Sequence, residues 1–491
     1  MSDQNNQPKD LFNLILSLSL SITFLLSAVF IFLQIVSQTT LNHYDEFFTL
    51  DRTTGFARHH DWLTVWSQNE PSFKKPPLQY WTGAWFLEAG LPETMALRLP
   101  SFLSALLLLA ATGALAFTLR PGSPWIIPAA IAFTAASPQL WSYALSAMLD
   151  IATAFWSTLA VTLALVALRR PNWWYAVAVA CALGALQKAP VGVVFVGLML
   201  WVIRLVEDGT DPALHRVTKG RTFRRAFWLM VVLVLAWPVL QVFRHGPDAI
   251  IDLYFKQMYR RFAPSVFSDP GSNAASLPDL LFVGEYALRG LGFVALLWLP
   301  VRLGRKELWG LAALPVIYVV AVIFTEGSVY SRYSLVFLPL LTAALAAMVF
   351  ALPAPLWLRG GVAAALAALF SLQLEAPQLT RDPHVVQQIA LAERPEAQLG
   401  SDEVLIQCKW GADDATIPGL VSVYAAQGRP FEVVGRPKDL APFIARFEPG
   451  QTFMGFCTEG SLADVTEAVP DAAVVAQEGP FLIWRGTRPA E

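Results

Sequence analysis

The chain has 491 residues, of which 55% are hydrophobic and only 15% charged, with a formal net charge of −2 and a mean hydropathy of +0.49. A soluble domain carries about 25% charged residues to wet its surface, so an all-soluble protein is excluded and lipid is the expected solvent. Near-zero charge without a basic tract gives no footing to a nucleic-acid partner.

The first element, Leu11 to Ser37, is an apolar run longer than the roughly 7–15 residues of a signal-peptide core, and further spans follow it. It reads as a signal anchor. A membrane helix needs about 20 apolar residues. Windows of that kind lie near 11–38, 96–118, 125–145, 151–168, 172–187, 190–206, 226–243, 281–300, 307–324, 334–352 and 356–374. The expected architecture is a polytopic, all-α membrane protein of about eleven helices. The 17 Trp and 34 Pro suit interfacial belts and interrupted helices.

Lys and Arg in short loops set the orientation. With the N-terminus cytoplasmic, the inner loops hold Arg120, Arg169 with Arg170, the run Arg204 to Arg225, then Arg302, Arg305 and Lys306, and finally Arg359. The outer face then receives residues 39–95, 146–150, 187–190, 244–280 and 325–333, and the tail from Glu375.

Outer segment 39–95 begins with His43-Tyr44-Asp45-Glu46. It passes Arg52, Arg58, His59, His60 and Asp61, then reaches Lys74-Lys75-Pro76-Pro77-Leu78-Gln79-Tyr80-Trp81. Glu46–Phe56 and Leu78–Leu87 are amphipathic and read as helices on the membrane surface, with Trp62, Trp66, Trp81 and Trp85 at headgroup depth. His59-His60-Asp61 reads as a solvated loop in preference to zinc, which needs three ligands in a set geometry.

An acid where a span leaves the membrane is expensive unless it faces a cavity or a partner. Asp45 and Asp150 both stand there, with Lys75 and Lys188 at the same boundary, and together they outline a polar cavity. Each alone also reads as a helix cap, and Lys188 also reads as one half of a structural bridge. Arg260 and Arg261 equally read as lipid-phosphate anchors.

The tail differs in kind. Val404–Cys408, Phe431–Val434, Thr452–Cys457, Ala473–Ala476 and Phe481–Trp484 read as strands, and Leu440–Phe447 and Leu462–Val469 as helices. This predicts a small soluble α/β domain over 376–491, behind a membrane domain over 1–375. The tail lacks a catalytic cluster, so docking or lid duty fits it best. Cys408 and Cys457 could pair if the tail is extracytoplasmic; otherwise they are buried thiols.

The ordered motifs resemble those of the polyprenyl-phosphate-sugar glycosyltransferases, which include the protein O-mannosyltransferases and the lipid A aminoarabinose transferases of C-type glycosyltransferase fold. The resemblance rests on Asp45-Glu46, Lys75-Pro76-Pro77, Arg98-Leu99-Pro100-Ser101, Met148-Leu149-Asp150 and Gln187-Lys188-Ala189-Pro190-Val191-Gly192. Tyr259-Arg260-Arg261-Phe262 and Ser331-Arg332-Tyr333, with Leu338-Pro339-Leu340, complete it over residues 11 to 375. It implies a polyprenyl-phosphate sugar as donor, a lipid, glycan or protein acceptor, and a bacterial inner membrane with a periplasmic tail. Asp45 would be the base, and Asp150 would orient the acceptor, position the sugar or keep the neighbourhood of Asp45 negative. Lys75, Lys188, Arg261 and Arg332 would bind the donor phosphate. Tyr44, Glu46, Tyr80, Arg98, Arg260 and Tyr333 would contact substrate. No metal ligand is assigned. Lys74 stands where the aminoarabinose branch has an acid linked to a metal, so the resemblance leaves a divalent cofactor open.

Two other classes compete. A transporter or flippase of lipid-linked sugars would do no bond chemistry, but no internal repeat is evident and the polar residues gather at one face. A non-catalytic envelope protein would leave the motifs of the first outer segment unexplained.

Overall fold

The computed structural model describes residues 29, 32–33, 41, 44–67, 70–206, 220–251, 285–323, 331–372, 374, 383–408 and 431–489. Most of the first window, and the part of the long outer segment that holds Arg260 and Arg261, lie outside them. The chain divides into two units. One comprises Met1–Gln38, Phe73–Gln79 and Arg98–Gln378; the other comprises Thr39–Ser72, Tyr80–Leu97 and Leu379–Glu491.

The first unit is helical. Among the described residues, five stretches are long and apolar enough to cross a membrane: Glu93–Leu119, Asp150–Ala167, Arg221–His245, Tyr286–Leu303 and Arg332–Ala351. They make the chain an integral membrane protein. Shorter apolar helices, Ile126–Ala135, Val191–Val206, Glu307–Val320 and Leu356–Ser371, and helix Trp174–Gln187, fall on the other windows. The window near 125–145 is not one helix. Ser137 is extended before Pro138 (φ −82°, ψ 119°), as the residue before a proline must often be. Its hydroxyl caps a separate helix, Pro138–Ala144, by accepting from Leu140 N at 3.4 Å.

Burial sorts the spans. The Arg332–Ala351 window is 94% buried within the protein and the Arg221–His245 window only 22%. The second presents Phe227, Trp228, Val232 and Phe243 outward, as a lipid-facing helix should. Two crossings depend on glycine. A Cβ on Gly292 would lie 2.7 Å from Leu341 Cβ, and one on Gly310 would lie 2.5 Å from Met199 O. Only a missing side chain lets those backbones approach so closely.

In the second unit, helix Tyr44–His59 is followed by a short antiparallel pair, β1 (Trp66–Ser67) with β2 (Glu70–Pro71), and by most of helix Leu78–Glu88. A helix therefore forms at each of the two predicted amphipathic segments. The C-terminal part forms a five-stranded sheet from β3 (Val404–Cys408), β4 (Glu432–Val434), β5 (Thr452–Thr458), β6 (Ala473–Glu478) and β7 (Phe481–Thr487), in the order β4-β3-β5-β7-β6. β3 runs parallel to β4 and β5, while β7 runs antiparallel to β5 and β6. Helices Pro437–Ile444 and Leu462–Ala468 supply Leu440, Phe443, Ile444 and Val465 to a core built on Ile406, Phe453 and Trp484. Cys408 and Cys457 form a disulfide between the adjacent strands β3 and β5, with Cα atoms 4.9 Å apart. Trp484 Nε1 donates to Cys457 Sγ at 3.1 Å.

Candidate functional site

Asp150 and Lys188 meet because the chain runs out and back between them. Helix Asp150–Ala167 and helix Trp174–Gln187 are joined by residues 168–173, so the end of the second returns to the level where the first begins. Asp150 sits in a first helical turn and Lys188 caps a C-terminus, positions at which the helix dipoles favour those charges. Lys188 Nζ lies 2.5 Å from Asp150 Oδ1, with the side chains 12% and 10% exposed. The ammonium also stands 5.1 Å from the centre of the Tyr333 ring, and the Arg332 guanidinium stands 5.8 Å from that ring. Asp150, Lys188, Arg332 and Tyr333 therefore form one cluster.

A buried network holds the turn Ser331–Phe337 that carries Arg332 and Tyr333. Arg289, fully buried, donates from Nη1 to Ser334 Oγ at 3.0 Å and from Nε to Glu285 Oε2 at 2.7 Å. Glu285 Oε1 accepts from the Ser137 hydroxyl at 2.5 Å and from Gln139 N at 3.2 Å. The ion pair thus ties the turn to the start of helix Pro138–Ala144. Its ions have hydrogen-bonded partners on several sides, as a buried pair requires.

A second relay joins four of the sequence motifs. Gln187 Nε2 donates to Gln79 Oε1 at 2.7 Å, Gln79 Nε2 to Ser101 Oγ at 3.1 Å, and Ser101 Oγ to Met148 O at 2.8 Å. The three side chains are almost completely buried. Polar groups in such a place must find one another, since an orphan costs about 1–3 kcal/mol. The relay locks the Lys75–Gln79 segment against the residues that precede Asp150 and Lys188. Lys75 is partly exposed four residues before Gln79. Arg98 is fully buried.

In the other unit, Asp45 and Glu46 occupy the first turn of helix Tyr44–His59; Asp45 is partly exposed and Glu46 is buried. Tyr80 is buried, and its hydroxyl accepts from Arg52 Nη1 at 2.8 Å. Burial pushes the Tyr80 hydroxyl above its ordinary pKa despite the opposing pull of Arg52, so it stays a neutral phenol. Asp51 is held by Arg58 at 3.2 Å and accepts from Ser67 Oγ at 2.9 Å. The His59 ring stacks on Trp66 with centroids 4.1 Å apart. Asp61 Oδ1 accepts from Leu63 N at 3.0 Å and Thr64 N at 3.4 Å. His59 ends its helix and His60 lies in the turn that follows. Among the described residues no group of three His, Cys, Asp or Glu side chains is gathered for a metal. Lys74, exposed and cationic, is unsuited to replace an acidic ligand, so the residues present do not fit a metal there. The Tyr44 side chain, Arg260 and Arg261 lie outside the described structure.

Sequence reasoning missed roles for Gln79, Gln187, Glu285, Arg289 and Arg52. For Gln79, Gln187 and Arg289 the available signal was polarity inside apolar helices, where an unpartnered group is costly.

No family model and no curated protein matches the sequence. Solved structures do. The crystal structure of ArnT from Cupriavidus metallidurans bound to undecaprenyl phosphate aligns with 94% of this chain and 97% of its own at 18% identity, TM-score 0.72. Its apo state gives 17% identity over the same shares, TM-score 0.70. The Archaeoglobus fulgidus oligosaccharyltransferase tethered to an acceptor peptide aligns with 85% of this chain and 64% of its own at 12% identity, TM-score 0.50. Both proteins have the C-type glycosyltransferase fold, and this chain shares it.

Proposed function

We propose that the protein transfers a sugar from a polyprenyl-phosphate donor to a hydroxyl or phosphate acceptor at the extracytoplasmic face of a bacterial inner membrane, with inversion. The observation that carries this reading is the cluster of Lys188, Asp150, Arg332 and Tyr333, braced by the glutamine relay, in membrane helices of C-type glycosyltransferase fold. A neighbour of that fold is bound to undecaprenyl phosphate.

The acceptor oxygen attacks the anomeric carbon on the face opposite the leaving phosphate; a hydroxyl acceptor gives its proton to Asp45, whereas a phosphate acceptor attacks as the anion. The bond from that carbon to the phosphate oxygen breaks, and polyprenyl phosphate leaves with the electron pair. Its new negative charge falls to Lys75, Lys188, Arg261 and Arg332; the arginine forks match phosphate oxygens and the lysines supply compact charge. Asp150 holds the Lys188 ammonium in place and so acts through it. Tyr333 gives that ammonium an aromatic face. Tyr44, Glu46, Tyr80, Arg98 and Arg260 complete the substrate surroundings, and no step runs through a metal.

The membrane domain over 1–375 carries the chemistry, and the tail over 376–491 serves as a cover or docking domain. The Cys408–Cys457 disulfide supports an oxidising, extracytoplasmic location for it, as does the distribution of Lys and Arg.

The test is sugar transfer in membranes holding wild type or Asp45→Asn. General-base help is worth about 10²–10⁴-fold, so a hydroxyl acceptor should show a loss of that order. A phosphate acceptor is already an anionic nucleophile and should lose far less. No transfer by wild type from a broad panel of polyprenyl-phosphate sugars, with the lipids merely moved between leaflets, would establish the flippase reading instead.

A further inference from the structure

Arg52 lies two turns beyond Asp45 on helix Tyr44–His59. Seven residues turn a helix almost a whole number of times, so both belong to one stripe, about 10 Å apart along the axis. Thr49, between them on that stripe, anchors itself by donating to Asp45 O at 3.0 Å. Arg52 is only 7% exposed. Its guanidinium is pressed against two rings, 4.9 Å from the centre of Phe48 and 5.6 Å from that of Tyr80.

What is missing, among the described residues, is a carboxylate in contact with Arg52, although Asp45 and Asp51 both act on the neighbouring Tyr80 hydroxyl through space. Arg52 donates from Nη1 to the Tyr80 hydroxyl, which is neutral. Its Nε hydrogen is buried and has no acceptor among the described residues. The adjacent acid, Asp51, is taken by Arg58 and Ser67, and among the described residues no carboxylate pairs with Arg52. A buried cation with no anion in direct contact is costly. Its neighbour Arg58 does have an anion, so the lack belongs to this position and not to the helix.

We propose that Arg52, with the Tyr80 hydroxyl beside it, is a binding site for an anionic phosphate group of a substrate. A guanidinium presents a planar fork that matches two phosphate oxygens, and the flanking rings hold it flat and dry. The phosphate belongs either to the polyprenyl donor or to the acceptor. The second source has a clear use: a phosphate on Arg52 would bring an acceptor to the helix stripe that carries the base. This inference rests on the sugar-transfer reading for its purpose, though not for its geometry.

The test uses full-length protein in nanodiscs as wild type, Arg52→Gln, Arg52→Lys and Tyr80→Phe. The probes are undecaprenyl phosphate, read by binding, and methyl phosphate, read by thermal protection. Arg52→Gln is expected to weaken at least one probe about tenfold or more, in line with loss of a charged hydrogen-bonding partner. Arg52→Lys should recover part of that loss, and Tyr80→Phe should give a smaller loss in the same direction. Weakened undecaprenyl phosphate assigns the site to the donor. Weakened methyl phosphate alone assigns it to the acceptor. If Arg52→Gln fails to fold, Arg52→Lys and Tyr80→Phe decide the matter. Unchanged affinity for both probes in the folded variants overturns the site and makes Arg52 a packing residue. Wild type that binds phosphate through Arg52 yet transfers no sugar would sink the transfer reading and leave the anion site standing.

Discussion

Replacing Asp150 with Leu removes the carboxylate from an ammonium whose side chain is 12% exposed. Breaking a fully buried pair by removing one member costs about 3–5 kcal/mol. Both partners here keep some outside contact, which relieves part of that cost, so the expected loss is about 2–3 kcal/mol. Lys188→Met should cost a similar amount, because it strands the carboxylate and also loses the Tyr333 ring contact, itself about 0.5–1 kcal/mol. The double variant strands nothing. Its loss should fall well short of the sum of the two, giving a coupling energy of about 1.5 kcal/mol or more. The assay is reversible unfolding of the four proteins in mixed micelles, followed by tryptophan fluorescence. Additivity of the two substitutions to within about 0.5 kcal/mol would refute an energetic coupling between Asp150 and Lys188.

Three further perturbations test the supports around the cluster. Gln79→Leu breaks two links of the relay at once and should cost about 2 kcal/mol, from groups left without partners; unfolding measurements check this, and a loss near zero would mean the relay does not form. Gly310→Ala puts a methyl 2.5 Å from Met199 O and should cost about 1–3 kcal/mol through overpacking, read as a lower melting temperature of the full chain. The disulfide closes a sequence separation of 49, for which chain entropy allows a contribution of about 4 kcal/mol. Reductant should therefore lower the melting temperature of the wild type and leave the Cys408→Ala/Cys457→Ala variant, already lower, unmoved.

The tail was legible almost strand for strand because short apolar runs bounded by turn residues carry a local signal. Val404–Cys408 begins and ends where the pattern placed it. The apolar helices were legible for a similar reason, and the exception is instructive. The apolar window near 125–145 runs across Ser137-Pro138, where the backbone breaks into two helices. The candidate charges stood out in the sequence because they lie at span ends, where lipid makes a charge costly. Their pairing did not. That Lys188 faces Asp150 follows from the helical hairpin between them, and the contact crosses 38 residues. Gln79 and Gln187 were harder still, because a neutral amide stands out little in composition and its meaning depends on a partner 108 residues away. The disulfide was undecided for the same reason: only the parallel register of β3 and β5 brings its two cysteines side by side.

The proposed transfer requires this membrane chain to hold a polyprenyl phosphate on cations at the outer boundary. Mass spectrometry of the lipids that co-purify with the full-length protein tests it most directly. Polyprenyl phosphate should accompany the wild type and be depleted from Lys188→Ala and Arg332→Ala. Bulk phospholipid alone in all three preparations, or equal polyprenyl phosphate in all three, would contradict it.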